Sequence, residues 1–172
     1  MEYLVIWALI LFVGYIATAI FIFREIPRSI SDTFYMYNDV FEGLGYVFTI
    51  FMSITAALIV SPMVALGTFE WWQFLGFLCP CGIAFCGSAP LFKDDKLVKK
   101  VHYTGAIGGA STGLAWSFLL DSMTLGVSLA VLIVTCAIIG LATRTIKECS
   151  TFWLELVGFG SITIVLVANT LL

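Results

Sequence analysis

Apolar residues along this chain come in long unbroken runs. They show neither the alternation of a half-buried strand nor the single stripe of a surface helix. Crossing a bilayer core of roughly 30 Å takes about 20 mostly apolar residues in a helix, whose backbone satisfies its own hydrogen bonds. Six stretches of that length carry no lysine or arginine: approximately 3–23, 43–66, 70–92, 101–120, 124–143 and 151–171. The pattern predicts an all-α polytopic membrane protein, one bundle of about six transmembrane helices forming a single domain over 1–172, with no internal repeat.

The polar positions between the runs are just as ordered. Arg24 and Arg28 fall in the first connection, Lys93, Lys96, Lys99 and Lys100 in the third, and Arg144 and Lys147 in the fifth. Bases mark the cytoplasmic face, so these loops are expected inside and both termini outside, in a plasma (inner) membrane. Trp7, Trp71 and Trp72 then fall near the outer boundary and Trp153 near the inner one, as an aromatic belt requires. Ala17-Thr18-Ala19 imitates a signal-peptide cleavage site. The start Met1-Glu2-Tyr3 lacks a basic residue, however, and the apolar run continues to Phe23, so the first span reads as a retained helix.

Composition agrees: 61% of residues are hydrophobic and 11% charged, with a mean hydropathy of +1.08. A soluble domain carries about a quarter charged residues. Eight bases shared among three short loops make no continuous basic surface, which excludes nucleic acid as a partner.

Within this frame a few residues stand out. In the first and longest connection, Ser29-Ile30-Ser31-Asp32 has the form of a capping box. It predicts an interfacial helix running past Tyr35 and Tyr37, and Ser29, Ser31, Asp32 and the tyrosines are candidates to line a head-group site. Pro62 and Pro80 each remove a backbone hydrogen bond from a span and open a gap for packing or a ligand. Gly105, Gly109 and Gly113 recur every four residues, forming one smooth stripe for a close helix contact, inside the bundle or with a second copy or partner subunit.

The stretch LCPCGIAFCGSAPLFKDDKLVKKVH, residues 78–102, crowds Cys79, Cys81, Cys86 and the only histidine together. Neighbours two apart point to nearly opposite sides of a helix, so Cys79-Pro80-Cys81 is no C-x-x-C site. One histidine and cysteines at several depths do not make the three or four converging ligands of zinc, so neither a metal nor another cofactor is expected. An odd number of cysteines within spans also argues against disulfides.

Glu155, one turn inside the last span, is the expensive group, because an acid in a membrane helix must be neutral, hydrated or paired. His102 is its natural partner, since it can accept or give a proton near neutral pH. Ser88, Tyr103, Thr104, Asp94 and Asp95 fall at similar depth. Three functions fit this polar inner rim. The leading one is binding of a membrane lipid or small amphiphile, or of a partner subunit, by His102, Glu155, Ser88, Asp32, Tyr35 and Tyr103. A proton- or ion-coupled transporter using Glu155 is the second. The third is a lipid-modifying enzyme with His102, Glu155 and Ser88 as candidate catalytic groups, although the G-x-S-x-G and H-E-x-x-H signatures are both missing. An enzyme requires a serine or activated water within reach of His102, a transporter a water-filled path at Glu155, and a binder an apolar cavity ending at the rim.

Overall fold

The computed structural model describes residues 1–171. Among them every regular element is helical: α1 (Glu2–Phe23), α2 (Thr33–Val40), a 3-10 turn (Leu44–Tyr46), α3 (Val47–Leu66), α4 (Gln73–Ser88), α5 (Lys96–Ala142) and α6 (Ser150–Leu171). α1, α3 with its leading turn, α5 and α6 are long and apolar enough to cross a membrane, and α4 is a shorter apolar helix. Large side chains such as Phe21, Phe85, Ile107, Phe118 and Leu154 point outward. Water would penalise that surface at about 25 cal/mol per Å², whereas lipid would not.

At 47 residues α5 would be a rod about 70 Å long, more than twice the hydrocarbon thickness. It is broken instead at Asp121, whose backbone is extended at φ −155°, ψ 84°. The Asp121 carboxylate then starts the second arm as a cap. One oxygen accepts from the Thr124 amide at 3.0 Å, and the other accepts from the Thr124 hydroxyl at 2.6 Å and the Asn169 side chain at 3.3 Å. In the first arm, 96–120, Gly113 meets Ile162, and Asp121 at its end meets Asn169. In the second arm, 122–142, Gly140 meets Trp153 and Leu132 meets Gly160. Sequence numbers thus rise together in one arm and oppositely in the other, so the arms are antiparallel.

The helices close a ring, with α1 on α3, α3 on α4, α4 on α5, α5 on α6 and α6 back on α1. Its tightest seam is α4 against the first arm of α5. A Cβ placed on Gly82 would lie 2.5 Å from the Gly109 backbone, and one on Gly105 would lie 2.6 Å from the Cys86 nitrogen. The glycine stripe is therefore filled from within the chain. Of the two contacts the stripe allows, the one seen here is inside the bundle, with α4. Trp72 and Trp153 also depart from the expected belt. Both are buried, Trp72 edge-on to Trp116 and Trp153 beside Gly140, while Trp7 and Trp71 are exposed.

Candidate functional site

The first connection carries the expected helix past Tyr35 and Tyr37, α2, but it starts later than the capping box predicts. Ser29 accepts the Asp32 amide at 3.1 Å, which is half of the predicted box, and α2 starts only at Thr33. The residues before it fold onto one end of the ring. Arg28 O accepts the Phe152 amide at 3.0 Å, and Ile26 O accepts the Cys149 thiol at 3.3 Å. Thr33 gives its single hydroxyl proton to Ile30 O at 2.6 Å, so the Tyr15 phenol, 2.5 Å away, must donate to Thr33. The first connection is thus fastened to α1 and α6 by groups from both ends of the chain.

His102 is buried two turns into α5, whose start at Lys96 is fixed by Asp95 accepting the Leu97 and Val98 amides at 2.7 and 2.9 Å. The Phe92 ring stacks on the imidazole at 4.2 Å. Its Nδ1 lies 3.0 Å from Ala89 O and 3.1 Å from Cys86 O. Both neighbours only accept, so Nδ1 must carry the proton, leaving Nε2 as an acceptor. Nε2 faces Ser31 Oγ at 3.0 Å, and the serine hydroxyl donates to it. The Cys86 thiol is nearly equidistant from the two ring nitrogens, 3.7 and 3.6 Å, and so is aimed at neither of them.

Glu155 accepts the Ile30 amide at 2.6 Å. The expected direct pairing of His102 with Glu155 does not form; consecutive residues of the first connection, Ile30 and Ser31, stand between them. The one ion pair among the described residues is Lys93 with Asp32 at 2.9 Å. Around it, Tyr35 accepts the Lys93 amide at 2.8 Å and donates to Asp94 at 3.3 Å. Burial raises the Tyr35 phenol above its ordinary value. Asp32, Tyr35 and Asp94 therefore latch the first connection to the third on the outer side of the same segment.

Three candidates fall outside the site. Ser88 is exposed and turns back to Phe85 O at 2.9 Å, because α4 ends there. Tyr103 and Thr104 are likewise exposed, Tyr103 edge-on to Phe92. Ser31 is the partner of His102 that sequence spacing does not reveal. The only signal for it is the run of hydroxyls and acid in the longest connection.

Beside Ser31 the ring holds a partly open cavity of about 50 Å³. Val5 and Phe12 of α1, Phe51 of α3, Ile83 of α4 and Ile162 of α6 are among its walls, while Ser31 and Glu155 lie at its polar part. On the far side of the same segment, Arg28, Asp32, Lys93 and Glu148 line a polar surface depression of about 360 Å³. Residues 27–32 thus separate an aqueous depression from an apolar interior. No known protein family, curated protein or solved structure matches the chain.

Proposed function

We propose that the chain is a six-pass membrane protein that binds a small amphiphile in the centre of its ring. The observation that carries this reading is the apolar cavity that meets Ser31 and Glu155. A tail coming from the bilayer is held there by packing against the apolar walls, and the hydroxyl and carboxyl groups at the polar part hold a head group. With room for only a few methylenes, the cavity takes the end of a tail as it stands. A longer tail enters by parting α1, which packs chiefly on α3 and α6, from those two helices.

The six passes are α1, α3, α4, the two arms of α5, and α6. The basic connections, which the Lys93–Asp32 pair and the Phe152–Arg28 bond draw to one end, are cytoplasmic, and both termini are outside. A wall of apolar side chains around Glu155 favours binding over ion transport, which needs water along its path.

The test is native mass spectrometry of the protein released gently from its membrane, with lipid extraction alongside. A stoichiometric amphiphile is expected with the wild type and not with Ala8→Leu, whose added carbons fill the cavity. Bare wild-type protein, or an amphiphile held equally by the filled variant, would overturn the reading.

A further inference from the structure

We propose that Ser31 is a nucleophile activated by His102, and that the bound amphiphile is a fatty acyl ester cleaved at its carbonyl. The inference rests on the binding reading above and adds chemistry to it. A serine hydroxyl is a weak nucleophile until a base takes its proton, and the base must itself be held in the correct tautomer by a third group. All three parts are present. Ser31 Oγ donates to His102 Nε2 at 3.0 Å, and the Ala89 and Cys86 carbonyls hold the other ring proton at 3.0 and 3.1 Å. Phe92 stacked on the ring fixes its plane. Both side chains are buried, yet Ser31 also lines the cavity, so a carbonyl at the head of a tail lying there meets the oxygen.

The reaction balances with water as the second substrate. Ser31 Oγ bonds to the ester carbonyl carbon while its proton passes to Nε2 and the carbonyl π pair moves to oxygen. That pair returns as the carbon–oxygen bond to the alcohol breaks, and the imidazolium gives the alcohol its proton, leaving an acyl ester on Ser31. Water attacks this ester as Nε2 takes its proton. The fatty acid departs, and Ser31 recovers its hydrogen from the imidazolium. Residues 27–32 form the partition between the polar depression and the cavity, so water has only this segment to pass. Glu155 is a positioning residue here, because its bond to the Ile30 amide fixes the backbone beside Ser31.

The nearby thiol is a competing nucleophile that the experiment must separate. Detergent-solubilised wild type is treated with an alkyl fluorophosphonate, which forms a stable phosphonyl ester on an activated serine, and in parallel with an alkyl iodoacetamide, which alkylates thiols. The modified peptide is identified by mass spectrometry. Fluorophosphonate labelling at Ser31 is expected, absent in Ser31→Ala and at least about tenfold slower in His102→Gln. If His102→Gln does not accumulate as folded protein, the wild-type pH profile replaces it. The labelling rate must fall with acid, because an imidazolium accepts no proton.

Folded wild type that takes no fluorophosphonate, takes it equally with Ser31→Ala, or reacts only at Cys86 with iodoacetamide would overturn the proposal. An amphiphile that co-purifies with unlabelled protein defeats the nucleophile and leaves the binding reading standing. Labelled Ser31 in a protein that binds no amphiphile does the reverse.

Discussion

Ile30 and Ser31 are consecutive, yet their hydrogen bonds go to different helices, one to Glu155 on α6 and the other to His102 on α5. What Glu155 does for Ile30 is accept a hydrogen bond, and a glutamine carbonyl can do the same. Glu155→Gln is therefore expected to melt close to the wild type and keep Ser31 reactive. Glu155→Leu strands the Ile30 amide at a cost of about 1–3 kcal/mol and should lower both the melting temperature and the labelling of Ser31. Equal behaviour of the two variants in thermal melts would remove Glu155 from its positioning role. The Lys93–Asp32 pair is a weaker candidate, because with the lysine side chain 48% exposed it contributes only about 0–1 kcal/mol.

At this scale the chain's own order misleads. His102 and Glu155 are the lone histidine and the acid deepest in a span, and nothing in their spacing reveals that a segment 71 residues before His102 folds between them.

Among the elements, the helical runs were legible because each is set by a local quantity, the length of an apolar stretch. α1 and α6 begin and end within a residue of the runs that predict them, and so does α3 once its leading turn is included, 44–66 against 43–66. The turn between the fourth and fifth runs appears as a single extended residue, Asp121, because its carboxylate caps the second arm at once and leaves no loop to build. Less legible was what the glycines meet, since a smooth stripe does not name its partner. Its contact with α4 makes a contrast within one helix. Gly105→Ala places a carbon 2.6 Å from the Cys86 backbone and should cost on the order of 1–3 kcal/mol by forcing α4 and α5 apart. Gly108→Ala meets nothing within 4 Å and should melt at or above the wild-type temperature, since alanine favours a helix. Similar melting of the two in thermal-shift measurements would mean that α4 does not press on the stripe.

For the whole molecule, the proposed arrangement turns on sidedness. Reporter fusions at the two termini should both report the outer compartment, and fusions after Lys93 and Lys147 the cytoplasm. A terminus found inside would remove either the orientation or one of the two α5 arms as a pass. The antiparallel arms make the second arm the more dispensable on geometric grounds. It packs outside the ring, against α6, and contributes nothing to the cavity walls.

The fastening of the first connection to the last helix also sets an order in time. Ile30 and Glu155 are 125 residues apart, and at bacterial to eukaryotic rates of synthesis that distance takes roughly 6–25 s to produce. During that interval the serine already stands beside the membrane while the amide next to it has no carboxylate. Once His102 has been made, a nascent chain carries Ser31 and its base but neither the clasp nor the α6 wall of the cavity, and a protein shortened before α6 would remain in that unfinished condition. Pulse-labelled chains arrested before and after residue 155 would show whether the first connection changes from protease-sensitive to protected when the glutamate arrives.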